Sequence, residues 1–239
     1  MNNNNFSAAL TITFSVLLFF SCKKEECVYS EGESISIPCE EICNSIEDFE
    51  DDALGTLGNW IGIFIQPSSS IISQNGNSLL YVEDDQGGSW VYDTTDFPAN
   101  FIDAGCELQY DVQYEAGSSN SATTDNSVSI FQGSSPVNIT KRAVFILKSP
   151  NLITSGDPVK TIIVPLELAV TTGTTLPSNA YGEWFLTGTT GPPYSPTQIA
   201  DFNSLMQSNN GIGFTIDEGG NPSEKWYFDN FCIKNCCID

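Results

Sequence analysis

The sequence predicts an all-β sandwich, and three observations predict it. Apolar residues alternate over short runs, the runs recur at regular spacing, and glycine, serine, asparagine and threonine punctuate them. A chain of 239 residues is long enough for one domain with a real core once a leader is removed. Eight basic residues stand against 30 acidic ones, for a formal charge of −22, with no histidine. Nucleic acid is excluded, because a phosphate backbone would be repelled and counterion release needs lysine and arginine. The acidity suits a solvated, exposed protein, or carboxylates that hold calcium.

The chain opens on a nearly unbroken apolar run, Phe6 to Phe20. It is shorter than the ~20 residues that span a bilayer, and it suits the apolar region of a signal peptide. Leu18-Phe19-Phe20-Ser21-Cys22 resembles a bacterial lipobox. Residues 1–21 are then a lipoprotein signal peptide, and Cys22 carries the lipid (palmitate among its acyl chains) that holds the protein on a membrane. The continuation Cys22-Lys23-Lys24-Glu25-Glu26 resembles Bacteroidota lipoproteins, which implies an outer-membrane anchor with display on the outer face. Residues 22–45 read as an acidic, cysteine-bearing tether.

Seven cysteines remain once Cys22 is taken by lipid, and export permits disulfides. Seven is odd. Cys106 is the expected unpaired thiol, since it shares parity with Leu108, Tyr110, Val112 and Tyr114 on an alternating strand. The others form an N-terminal trio, Cys27, Cys39 and Cys43, and a C-terminal trio, Cys232, Cys236 and Cys237. Their composition alone leaves fifteen pairings open. Zinc is a poor competitor, with no histidine and no paired Cys-x-x-Cys.

From residue 46 to 239 the strand-like runs follow one another. They are Trp60 to Ile65, Leu79 to Glu83, Trp90 to Asp93, Cys106 to Tyr114, Ser127 to Gln132, Ala143 to Lys148, Thr161 to Val170, Gly211 to Asp217 and Trp226 to Ile233. Residues 117–125 form a polar loop. One short helix is predicted, from Pro196 to Gln207. Ser195 is its N-cap, Pro196 takes the first helical position, and Gln198 completes a capping box. Ile199, Phe202, Leu205 and Met206 then share the core-facing side.

Ile46-Glu47-Asp48-Phe49-Glu50 with Trp60 ten residues on resembles the opening of galactose-binding-like jelly rolls. Tyr181-Gly182-Glu183-Trp184, the capped helix, Gly211 to Ile216 and Tyr227-Phe228-Asp229-Asn230-Phe231 follow the order of laminin B (domain IV) and carbohydrate-binding modules. The resemblance implies a jelly roll whose first and last strands lie together. Cys39 or Cys43 is then expected to bond Cys236 or Cys237. It further implies structural calcium held by Glu50 and Asp229, for which hard carboxylate oxygens are suited.

Trp90, Tyr92 and Trp184 are candidate platforms for a sugar ring, with Trp90 and Tyr92 beside the acidic loop Glu83-Asp84-Asp85-Gln86. Without histidine there is no Ser-His or Cys-His catalysis, and no Gly-x-Ser-x-Gly or phosphate loop appears. A glycoside hydrolase needs only two carboxylates, but no spacing singles out a pair: Glu107, Asp111 and Glu115 simply share the strand face opposite Tyr110. The expected function is non-catalytic binding of glycans or matrix-like polymers. An accessory lipoprotein docked on an outer-membrane protein complex is the alternative, and a carboxylate-based hydrolase ranks third.

Overall fold

The computed structural model describes residues 42–116, 123–124, 128–217 and 224–235. The expected signal peptide, residues 1–21, and Cys22, Cys27, Cys39, Cys236 and Cys237 lie outside the described residues. Fourteen strands and two helices follow in order: β1 (Cys43–Glu47), β2 (Ile61–Ile63), β3 (Ser70–Gln74), β4 (Asn77–Glu83), β5 (Trp90–Asp93), α1 (Phe101–Ala104), β6 (Glu107–Glu115), β7 (Thr123–Thr124), β8 (Val128–Ser135), β9 (Asn138–Leu147), β10 (Ile153–Thr154), β11 (Lys160–Pro165), β12 (Gly182–Leu186), α2 (Pro196–Gln207), β13 (Gly211–Thr215) and β14 (Lys225–Lys234).

They build two six-stranded antiparallel sheets and one short pair, β10-β7. The first sheet runs β11-β6-β14-β4-β3, with β1 also on β14; the second runs β12-β9-β8-β13-β5-β2. Alternation dictates which side chains go inward. Along β6, Leu108, Tyr110, Val112 and Tyr114 are buried while Glu107, Gln109, Asp111, Gln113 and Glu115 are only partly so. Trp60, Phe97, Tyr110, Phe214 and Phe231 meet ring to ring between the sheets at 5.2–6.1 Å. The sandwich is therefore as the alternation implied.

Helix α2 has the anticipated capping box: the Ser195 hydroxyl accepts from the Gln198 amide, and the Gln198 side chain accepts from the Ser195 N–H. Its buried side is Ile199, Phe202, Leu205 and Met206. A second helix, α1, was not anticipated; one turn capped by Asn100 is too short to show periodicity. Strand β3 was also missed, although Asn75-Gly76, both at positive φ, make the two-residue turn that joins it to β4. The run predicted from Thr161 to Val170 ends at Pro165, which lacks the N–H that a ladder needs.

Strand β14 joins the chain ends. β4 pairs with it over Lys225–Phe228, and β1 takes over the same edge from Phe231 to Lys234. At the changeover the register slips between Asp229 and Cys232, and Asn230 takes φ 52°. Cys43 therefore belongs to the sheet rather than to a tether ending at 45, and lies opposite the β14 end. It bonds Cys232, with Cα atoms 5.5 Å apart, across 189 residues. The bridge links the two trios as expected but uses Cys232, not Cys236 or Cys237. The expectation of a free Cys106 is corrected too. Cys106 is disulfide-bonded and only partly buried, because β6 begins one residue later and the core-facing alternation starts at Leu108.

Candidate glycan-binding face

The residues that β6, β14, β4 and β3 turn away from the core form one continuous surface. Register fixes its rows. Ser70, Tyr81, Tyr227 and Gln113 lie side by side across β3, β4, β14 and β6. One row towards the β14 start, Lys225 sits between Glu83 and Glu115. One row the other way, Asp229, Asp111 and Thr161 are neighbours.

The aromatic pair is the centre of this face. Tyr81 and Tyr227 have ring centroids 5.4 Å apart, tilted by 44°. The Tyr81 hydroxyl donates to Glu83 Oε2 at 2.6 Å, and Tyr227 donates to Glu115 Oε2 at 3.4 Å. Burial, then the Glu83 carboxylate, pushes the Tyr81 phenol far up; burial, then Glu115, raises that of Tyr227. Both phenols thus stay protonated, and their hydrogen bonds pin the rings in place.

Beside Tyr227 lies a pocket of about 120 Å³ lined by Gln74, Asn77, Asp111, Gln113 and Asp229 among others. It is smaller than the ~300 Å³ at which enclosed small-molecule sites begin. It is a shallow notch in a platform, with amides and carboxylates at its rim.

Asp229 is 8% exposed and accepts from Asn77 Nδ2 at 2.6 Å and from its neighbour Asn230 N–H at 2.7 Å. Burial pushes its carboxyl up against these donors, and the charges of Asp111 and Glu50 add to the push. Asn230 Nδ2 also donates to Asp111 Oδ2 at 2.8 Å, and Thr161 donates to Asp111 Oδ1 at 2.6 Å. Glu50 Oε1 accepts from the Ser78 amide at 2.8 Å. Glu50 and Asp229 thus lie close enough for their charges to interact. Glu50 Oε1 and both Asp229 oxygens accept N–H donors here.

The aromatic platforms expected from sequence lie elsewhere. Trp184 is buried, its indole N–H donating to Pro165 O at 2.8 Å and its ring packed on Phe145 and Phe202. Trp90 lies under the Arg142 guanidinium, 5.0 Å from the ring centroid, and Tyr92 meets Phe131 edge to face. At 7% exposure each, Trp90 and Tyr92 offer no open ring face, and Trp184 offers none at 3%. Tyr81 and Tyr227 were overlooked, although parity pointed to them: Leu80 and Val82 flank Tyr81, Trp226 and Phe228 flank Tyr227, and all four go inward.

No protein-family model matches the sequence, and no curated protein matches it. Among solved structures, an exo-β-agarase superposes with a TM-score of 0.52 at 11% identity, over 82% of this chain and 25% of that one. A second agarase gives 0.51 at 12% identity, with the same two coverages of 82% and 25%. The L4b domain of human laminin alpha-2 gives 0.43 at 14% identity over 70% of this chain and 83% of that one, too distant to carry an argument. The chain spans about a quarter of the length of the agarases it matches. At such identities the likeness is one of fold, and it agrees with the sandwich built from β1 to β14.

Proposed function

We propose that this chain is a non-catalytic glycan-binding lipoprotein whose platform is the outer face of the first sheet. The observation that carries the reading is the Tyr81–Tyr227 pair, set level with Gln113 and rimmed by Asp111, Asn77 and Gln74. Aromatic rings offer a flat apolar face to the C–H side of a pyranose. Amides and carboxylates beside them suit the vicinal hydroxyls at the sugar's edge. With a formal charge of −22 and acids on the face itself, the ligand class is a neutral polysaccharide; sulfated or uronic polymers would be repelled. The agarase likeness in fold accords with this without choosing a sugar.

A glycan array probed with the full chain, with and without calcium, tests the proposal. Binding to neutral polysaccharides is expected, with affinity falling at least about tenfold in Tyr81→Ala and in Tyr227→Ala. No bound glycan, or binding that survives both substitutions, overturns it. Incubation with the bound polymer should release no reducing ends.

The anchor belongs to the same proposal. Cys22→Ala should abolish incorporation of labelled palmitate and release the protein from the outer membrane. A docking role on an outer-membrane protein complex is the second reading. Ile61, on the edge strand β2, and the adjoining Phe64 are 44% and 55% exposed, which favours an apolar contact. Copurification of an outer-membrane protein that is lost in Ile61→Ser would support docking over glycan binding.

A further inference from the structure

We propose a calcium site at the other end of the sandwich, built from Asp84, Asp217 and Glu224. Each offers a carboxylate oxygen, and the three oxygens lie within 4.8 Å of one another. Asp84 follows β4, Asp217 follows β13, and Glu224 precedes β14, so an ion here would tie the first sheet to the second. The site is distinct from the Glu50–Asp229 pair, which sits at the opposite end of the β4–β14 ladder. It stands whether or not the tyrosine face binds a glycan.

Asp84 is the observation that points to a cation. It is 1% exposed, and its Oδ2, fully removed from solvent, has no hydrogen-bond donor among the described residues. A carboxylate oxygen buried without a donor is strongly disfavoured in its charged form unless a positive charge meets it. Its other oxygen accepts from the Ser89 hydroxyl. That hydroxyl also lies within hydrogen-bonding distance of Phe64 O and Gln86 O. Phe64 O has the Asp85 N–H as a donor at 3.1 Å, which leaves Asp84 Oδ1 and Gln86 O to compete for the one hydroxyl proton. Phe64 adopts φ 55° and turns its carbonyl inward while its ring stays largely exposed.

The donor set selects the ion. All the ligands are hard oxygens; the sequence has no histidine, and among the described residues no cysteine joins the group to favour zinc. Calcium bonds at 2.3–2.6 Å, so oxygens on opposite sides of its shell stand up to about 5 Å apart. Magnesium, at about 2.1 Å with strict octahedral geometry, needs them closer. Carboxylates flanking the ends of three different strands, with backbone carbonyls beside them, match the larger, more tolerant shell.

The full chain, stripped with chelator and dialysed, provides the test. Equilibrium dialysis should show one calcium ion per chain that Glu50→Gln retains and that Asp84→Asn and Asp217→Asn each lose. Calcium a hundredfold above its Kd should raise the Tm by about 5–10 °C, and magnesium should do so weakly. In chelator, Asp84→Asn should melt above the wild type, since it removes a buried charge. Should the variants fail to fold, terbium serves on the wild type. Trp226 donates its indole N–H to Ile216 O at 2.9 Å, beside Asp217, so tryptophan excitation should sensitise terbium emission that calcium quenches by displacement. Absence of both calcium retention and sensitised emission overturns the site, as does a calcium ion lost only in Glu50→Gln.

Discussion

At the scale of single residues, the same residue type does opposite work on the two sides of a strand. Trp184 fills the core and spends its one polar atom on Pro165 O, whereas Tyr81 and Tyr227 lie on the outer side of the first sheet. Trp184→Ala should therefore lower stability by about 3–5 kcal/mol, the usual loss for a large buried ring. Tyr81→Ala and Tyr227→Ala should each change it by about 1 kcal/mol or less, so a binding loss in them reads as a lost contact. Denaturant titration of the three variants checks this. A Trp184→Ala variant as stable as the wild type would show that the ring is not packed as described. Parity in the sequence decides inside from outside, but not whether an outward-facing ring stays open. Trp90 shows why: its outward ring is roofed by Arg142, fifty-two positions away, and no local pattern reveals a roof.

At the scale of elements, the Cys43–Cys232 bridge holds β1 on β14. Closing a loop of 189 residues is worth about 5 kcal/mol in the chain-entropy treatment. Replacing both cysteines with serine should lower the unfolding free energy by several kcal/mol, read from the denaturant midpoint. Peptide mapping without reduction should recover residues 43 and 232 linked. The helix cap is a smaller matter: Ser195→Ala removes the acceptor for the Gln198 amide, for about 1 kcal/mol. The cap was legible because Ser-Pro-x-Gln is a local arrangement. The cysteine partner was not, because choosing among Cys232, Cys236 and Cys237 depends on the register slip after Asp229, a property of two strands far apart in sequence.

At the scale of the whole molecule, the excess of carboxylates sets the response to pH. Glu47, Asp84, Asp96 and Asp229 all have carboxyls pushed above their ordinary values, in each case by burial first. For Asp229 the neighbouring charges of Asp111 and Glu50 add to it; for Asp96 that of Asp93 does; for Asp84 that of Asp217 does. A raised native value means the folded chain binds protons more tightly than the unfolded one. The associated stability is complete below the ordinary aspartate value of 3.8 and is lost as pH rises through the raised values. In chelator, the Tm should therefore climb as pH falls from neutral towards the upper carboxylate range. Thermal melts at a series of pH values decide it; a Tm that falls steadily over that window would mean these groups are no less acidic folded than unfolded.

The sequence by itself determined the all-β class, most of the central strands, helix α2 with its cap, and the faces of β6. Each of these follows from periodicity or from side chains a few residues apart, where backbone geometry leaves little choice. Only the tertiary structure decided what meets across the sheets. It buried Trp90, Tyr92 and Trp184, placed Tyr81 beside Tyr227 from 146 positions away, joined Cys43 to Cys232, and gathered Asp84 with Asp217 and Glu224. The physical reason is register: a shift of one residue in any ladder turns every side chain of that strand to the other face, and register is fixed by the packed core as a whole.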